Sequence, residues 1–312
     1  MCLKAVYNRR KTKKEFPLVS VIVPTYNRGK PLCDAIKSLF KQDYPNFEII
    51  VVDQSTKKFP EKERFLKKYQ NRFSYLALST PSLPGARNFG ISKARGEIVL
   101  FCDDDVRVKE RWIAAHANNY LDPKIGGVTG RVVTLGQKIE PNHRKVGKIS
   151  PWGTVNGGFS STIRQEVENV VGCNFSWRKE ILEKAGGFDE NFIGNALREE
   201  TDLALRIKKF GWRIVFDPKA ELTHIWVQTG GCRKDENRLG WYHDFFHNET
   251  YFFLKHIKWY WWKLFWLVRW QFFVRCMFGF GREVSLRSMI IPWQGIYHGW
   301  QTYRRRKNEN RS

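Results

Sequence analysis

Acidic residues are scarce in this chain: 31 Asp and Glu stand against 54 Lys and Arg, a formal net charge of +23 over 312 residues. That imbalance implies an anionic partner, which nucleic acid, an anionic membrane surface or a phosphorylated substrate would each satisfy. Part of it is terminal, with Lys4, Arg9, Arg10, Lys11, Lys13 and Lys14 at the start and Arg304, Arg305, Arg306, Lys307 and Arg311 at the end. Residues 1–15 and 304–312 therefore read as basic tails. Paired cysteines are also lacking. Cys2, Cys33, Cys102, Cys173, Cys232 and Cys276 are dispersed, which excludes the spacing of a zinc or dithiol motif and reads as free thiols in a reducing compartment. The opening residues, Met1 to Arg9, have no unbroken apolar core and no small-residue cleavage site, so no signal peptide is expected and the folded part is expected to be cytoplasmic. The sequons at Asn174 and Asn248 carry no weight in that compartment. Glycine-rich phosphate loops are missing too. The first strand-like run leads into Pro-Thr-Tyr-Asn-Arg-Gly-Lys, not into G-x-G-x-x-G, and no glycine precedes Gly29-Lys30 at P-loop spacing. Any nucleotide is bound another way.

What is present is ample material for a core, 42% hydrophobic residues, enough for one large domain or two smaller ones. Short β-branched runs alternate with helix-like segments from Val19 onward, the pattern of a parallel sheet flanked by helices. The runs are Val19 to Val23, Phe47 to Val52, Phe73 to Leu78 and Glu97 to Cys102. Pro31 suits the first turn of a helix reaching about Lys41, and Pro84-Gly85 opens another reaching about Arg95. Polar residues follow the strands: Pro24-Thr25-Tyr26-Asn27-Arg28, then Asp53-Gln54-Ser55-Thr56, then Asp103-Asp104-Asp105. Three candidate ligand loops thus converge on the carboxyl edge of one sheet, where open α/β sheets bind their ligands.

The triple aspartate is the most informative stretch. Asp also favours solvated turns and helix caps. Three adjacent carboxylates nevertheless repel one another, and a hard divalent cation shared with substrate phosphates would compensate them. Further on, the glycine-rich stretch Gly147 to Gly158 reads as a mobile loop. Trp177 to Ala185 reads as a short helix stopped by Gly186-Gly187, and a second helix carries Arg198-Glu199-Glu200-Thr201-Asp202-Leu203. Its leading acids suit the positive end of a helix dipole as well as catalysis. Gln228 to Arg238, with two glycines, Arg233 and Lys234, suits a loop closing over a diphosphate.

Taken in order, these segments resemble the inverting family-2 nucleotide-sugar glycosyltransferases of the GT-A fold, over about Val19 to Thr229. Val-Ser-Val-Ile-Val-Pro-Thr-Tyr-Asn-Arg is similar to the family's first strand and nucleotide loop, and Phe47 to Thr56 to its second strand and base-contacting acid. Gly85-Ala86-Arg87-Asn88-Phe89-Gly90 matches the helix start before the metal-binding strand. Asp103-Asp104-Asp105 corresponds to the Asp-x-Asp element, Gly186-Gly187-Phe188-Asp189-Glu190 to the acceptor-side turn, and Glu199-Glu200-Thr201-Asp202-Leu203 to the catalytic acid segment. His224 matches a late metal-ligand position.

The resemblance implies a divalent cation, Mn²⁺ or Mg²⁺, held by Asp105 and His224 with Asp103, which also lies nearer the ribose. It implies Glu200 as general base, with Glu199 the alternative, and donor or acceptor contacts from Pro24, Thr25, Tyr26, Arg28, Asp53, Arg87, Asp103, Asp104, Trp177 and Asp202. Residues around Trp152, Asn174 and Trp177 are expected to line the pocket. Two departures stand out: Gln54 replaces the second acid of the usual Asp-Asp-Gly-Ser, and Glu-Glu stands for the usual Glu-Asp.

From Tyr251 to Phe280 the chain is dense in aromatics, including Trp259-Tyr260-Trp261-Trp262, Phe265-Trp266, Trp270 and Phe272-Phe273. Lys255, Lys258, Lys263, Arg269 and Arg275 interrupt it, so no apolar stretch of ~18 residues survives to span a membrane. On a single helical wheel Lys255, Lys258 and Arg269 share one side. Rings beside cations suit the lipid headgroup layer; packing onto the catalytic domain is the other reading. The expected organisation is a GT-A catalytic domain over 16–240, divided near 106 into nucleotide and acceptor halves, followed by an aromatic, basic helical region over 241–303. It would associate peripherally with the inner leaflet, near a glycan or lipid-linked acceptor. Nucleic acid is not expected as a partner, because three aspartates at a strand end repel phosphate. An inactive sugar-binding or scaffold relative is the other alternative.

Overall fold

The computed structural model describes residues 16–227, 229–232, 238–278 and 286–309. The N-terminal basic residues Lys4 to Lys14, Arg311, and Gln228, Arg233 and Lys234 of the expected closing loop lie outside them.

The first half alternates as expected: β1 (Val19–Thr25), α1 (Lys30–Leu39), β2 (Phe47–Asp53), α2 (Pro60–Tyr69), β3 (Ser74–Ala77), α3 (Leu83–Lys93) and β4 (Ile98–Cys102). Then come β5 (Val106–Val108), α4 (Trp112–Asn119), β6 (Ile125–Thr134), β7 (Gln165–Val167), β8 (Asn174–Arg178), α5 (Lys179–Lys184), α6 (Glu199–Lys209) and β9 (Arg213–His224). One sheet runs β3-β2-β1-β4-β8-β6-β9-β5, with β7 added on β9. β1, β2, β3 and β4 pair in parallel, as do β6 and β9, while β8 runs antiparallel to both β4 and β6.

All seven residues of β1 and all five of β4 are buried, because helices cover both faces of a sheet of this kind. Val19, Val21, Val23 and Leu100 pack under α1 and α4 with Leu32, Ile36, Trp112 and Ile113. Their neighbours Ile22, Val99 and Phe101 pack on the other face with Ala86, Ile91, Leu203 and Ile207 of α3 and α6. The period-two pleat divides each strand between the two layers.

Three expectations need correction. Trp177 and Arg178 belong to β8, and the helix begins only at Lys179. The 147–158 loop is closed on itself, with Gly147 N–H donating to Asn156 O at 2.9 Å and Ile149 bridged to Val155. The aromatic region is not one helix but several: α7 (Arg238–His256), a 3₁₀ turn at Trp259–Trp261, α8 (Trp262–Leu267), α9 (Trp270–Met277) and α10 (Leu286–Glu309). A single wheel therefore misplaces its cations, and α10 runs through the boundary expected at 303–304. α10 packs closely on α7: a Cβ at Gly295 or Gly299 would crowd the backbone carbonyls of His243 and His247. Among the described residues no helix is long and apolar enough to cross a membrane.

Candidate active site

The carboxyl edge of β4 meets the end of β9 because β5, directly after the aspartates, pairs antiparallel with β9 and sets Val106 opposite His224. Asp103, Asp105 and His224 consequently present one ligand atom each, all within 4.8 Å of one another. His224 Nε2 lies 3.1 Å from Asp105 Oδ1. Asp105 Oδ2 accepts from Val227 N–H at 3.1 Å and from Arg28 Nη2 at 3.3 Å. Burial presses the Asp105 carboxyl upward, but His224 and Arg28 outweigh it and hold the group below its ordinary range. Two hard carboxylates and an imidazole, gathered this closely with Asp103 partly open to solvent, suit Mn²⁺ or Mg²⁺.

Behind the cluster lies the loop leaving β1. Pro24 is buried in the strand opposite Val52. Thr25 donates its hydroxyl to Asp104 Oδ2 at 2.6 Å, and Arg28 Nε lies 3.3 Å from Asp104 Oδ1. Burial first, and the neighbouring acids second, push Asp104 up to about 7 against the pull of Arg28 and Thr25. Asp104 thus faces inward and anchors the loop that leaves β1. Asn27, in the left-handed region at φ 52°, accepts from Thr56 N–H and Lys57 N–H at 2.9 and 3.0 Å, which knits the loops after β1 and β2 together. Tyr26, half-buried just beyond, accepts Gly231 N–H at 2.9 Å. Asp53 sits at the expected strand end, but its oxygens already accept from Lys62 at 2.5 Å, Tyr75 at 2.6 Å and Ser55 N–H at 2.7 Å.

Arg87 joins this edge to the start of α6. It is buried, not exposed, with Nη2 donating to Gly172 O at 2.7 Å and lying 3.9 Å from Asp103 Oδ1. Its Nη1 is paired with Glu199. The two adjacent glutamates of α6 are therefore unlike. Glu199 is 1% exposed and committed to Arg87. Glu200 is half-buried, and burial, with Asp103 nearby, pushes its carboxyl above the ordinary glutamate range despite Arg87 and Arg198. A base that is partly accessible and of raised basicity fits proton abstraction better than a carboxylate held in an ion pair.

Other candidates do not open their side chains onto this edge. Trp177 is fully buried, its ring against Gly127 of β6. Asn174 is also fully buried, accepting from Trp112 Nε1 and donating to Arg131 O and Ala220 O, each at 2.9 Å. Asn174 pairs with Cys102 at the carboxyl end of β4 and Trp177 with Val99 further in; both side chains are fully buried, so they are core and not pocket lining. Asp202 points to the opposite side of α6, bonded to Arg206 at 2.8 Å, Lys255 at 2.6 Å and His256 at 2.7 Å. Those partners overcome burial and depress its carboxyl far below the usual range. Trp226, not singled out by the motifs, stands 44% exposed with φ 60° and its ring 5.4 Å from that of His224. Its place two residues after a candidate metal ligand was the available clue.

The aromatic region divides in two. Phe246, Tyr251, Phe252 and Phe265 are fully buried, whereas Trp259 is 78% exposed and Leu267, Trp270 and Trp293 are exposed too. Arg269, grouped with Lys258 on the wheel, points inward.

This sheet, with an acidic cluster at its carboxyl edge and a helical C-terminal region, defines a GT-A fold. The chain belongs to Glycosyl transferase family 2, whose family model matches residues 20–186. It is 27% identical over 229 residues to the probable glycosyltransferase YdaM of Bacillus subtilis, covering 68% of this chain and 51% of that protein. Against the poly(ribitol-phosphate) beta-N-acetylglucosaminyltransferase TarS of Staphylococcus aureus it is 34% identical over 127 residues, 36% of this chain and 22% of TarS. The chain thus spans about half of YdaM and less of TarS. The solved TarS fragment 1–349 superposes with a TM-score of 0.59 at 19% identity, covering 92% of this chain and 81% of the fragment. Mannosyltransferase PcManGT of Pyrobaculum calidifontis, solved with GDP-Man and Mn²⁺, superposes with a TM-score of 0.55 at 18% identity, covering 92% and 72%.

Proposed function

We propose that this protein is a metal-dependent inverting glycosyltransferase that moves a sugar, hexosyl or related, from a nucleoside-diphosphate donor to a hydroxyl of a lipid-linked or polysaccharide acceptor. The observation that carries the proposal is the cluster of Asp103, Asp105 and His224 within 4.8 Å, linked through Arg87 to the α6 acids. Asp103, Asp105 and His224 would hold Mn²⁺ or Mg²⁺, which when bound neutralises charge on the departing diphosphate. Glu200 takes the proton of the acceptor hydroxyl while that oxygen bonds to the anomeric carbon. The bond to the diphosphate breaks on the opposite face, so the configuration inverts. Arg87 pairs with Glu199 and fixes the start of α6. Thr25, Asp104 and Arg28 hold the loop that Tyr26 presents to the nucleotide.

In this reading the acceptor is presented at the cytoplasmic face of a membrane, where the exposed Trp259, Leu267, Trp270 and Trp293 enter the headgroup layer beside Lys258 and Lys263. PcManGT, bound to GDP-Man and Mn²⁺, and TarS, named for a polymeric acceptor, support the donor and acceptor classes by similarity. The test is release of nucleoside diphosphate from a panel of nucleotide sugars with lipid present, with and without Mn²⁺ or Mg²⁺, comparing wild type with Asp105→Ala. Metal-dependent turnover of one donor, lost in the variant, is expected. Donor binding without turnover would favour an inactive sugar-binding relative, and no binding to any donor would overturn the proposal.

A further inference from the structure

The catalytic helix is entered through a conformation that its own sequence disfavours. Arg198, immediately before Glu199 and Glu200, has φ 81° and makes no side-chain cap to α6. A non-glycine residue in the left-handed region persists only where its surroundings hold it there. The surroundings in question come from α7. Asn248 accepts Ile193 N–H at 3.0 Å and donates to Ile193 O at 2.9 Å. The next residue, Glu249, accepts from Arg198 Nε through Oε1 at 2.8 Å. Its other oxygen accepts from Arg269 Nε at 2.6 Å. Glu249 is 2% exposed, and both guanidiniums outweigh burial to keep its carboxylate ionised.

Arg269 is itself well fixed. It lies between α8 and α9, donates to Phe265 O at 2.8 Å, and sits 3.6 Å over the Phe265 ring. The same turn exposes Leu267, Val268 and Trp270 outward and sends Arg269 inward. One buried carboxylate therefore forks between the entry of the catalytic helix and the aromatic region.

We propose that Glu249, held by Arg269, is a positioning residue for the proposed transfer reaction: through Arg198 it sets the first turn of α6 and so the placement of Glu200. This rests on Glu200 as the base. It makes the aromatic region part of the machinery that shapes the active site, beyond any role in docking.

The experiment compares wild type, Glu249→Gln and Arg269→Lys in the full chain. Arg269→Lys keeps the charge but loses the fork, so it reports even if Glu249→Gln fails to fold. Three quantities are measured: Mn²⁺ affinity by paramagnetic resonance, amide exchange across 199–203, and kcat and KM with the donor that the panel identifies. The expected result is unchanged Mn²⁺ affinity, exchange in the first turn of α6 about tenfold faster in either folded variant, and kcat lowered about tenfold or more at constant donor KM. Wild-type exchange in that turn with unchanged kcat would overturn the proposal, as would a KM effect alone. Were no donor turned over by the wild type, the proposed reaction would fail while the exchange measurement still judged the positioning role.

Discussion

Two adjacent glutamates of identical chemistry should fail in opposite ways when neutralised. Glu199→Gln removes one partner of the buried pair with Arg87, and breaking such a pair typically costs roughly 3–5 kcal/mol because the other charge is left stranded. At about 2–4 °C per kcal/mol for a chain of this size class, the melting temperature should fall by roughly 6–20 °C. Glu200→Gln should leave stability almost untouched. The Glu200 carboxyl is raised, chiefly by burial, so the folded state favours its proton and its charge at neutral pH detracts from stability. Neutral Gln relieves that penalty. Its cost is kinetic instead: losing a positioned base lowers the rate by ~10²–10⁴, or about 2.7–5.4 kcal/mol of barrier. The pH profile supplies a second reading. The base works when deprotonated, so the acidic limb of kcat/KM should lie above the ordinary glutamate value of about 4.3 and vanish in Glu200→Gln. Melting curves and steady-state kinetics on both variants decide the matter. A Glu199→Gln enzyme of normal stability and lost turnover, beside an active Glu200→Gln, would refute the reasoning.

His224→Gln should weaken Mn²⁺ at least ~10-fold with the fold intact, read by metal titration, and chelator treatment of wild type should abolish donor turnover reversibly. Trp259→Ser and Leu267→Ser remove rings or chains that are 78% and 67% exposed; they should reduce cosedimentation with anionic vesicles without lowering the melting temperature. Unchanged vesicle binding in the double variant would remove the docking surface from consideration. Gly127→Ala places a methyl group into the Trp177 ring and should destabilise by about 1–3 kcal/mol or more, measured by denaturant unfolding.

Much of the site was legible because motif and strand end coincide. Asp103 and Asp105 follow a buried strand, and local hydrophobic patterning reveals such a strand together with the side on which its polar tail emerges. Arg87 was named from its helix, but its burial was not, since exposure depends on what lies opposite. Asp202 failed for a reason that was available: two residues along a helix is a rotation of about 200°, which turns Asp202 away from the edge that Glu200 faces. Trp177 and Asn174 failed for a reason that was not. They are buried because β8 inserts between β4 and β6, and no local pattern records which strands a given strand will join.

The sequence by itself determined the alternating architecture, the acidic carboxyl edge and the aromatic, basic character of the C-terminal region, because these depend on residue type and short-range period. Only the tertiary structure decided that His224 meets Asp105 across 119 residues, that Glu199 is buried against Arg87 while Glu200 stays partly open, and that Arg269 turns inward to Glu249. Each of these is a contact between polar groups separated in the chain. Burial gives such a pairing its strength, and burial is a property of the folded surroundings that no stretch of sequence carries alone.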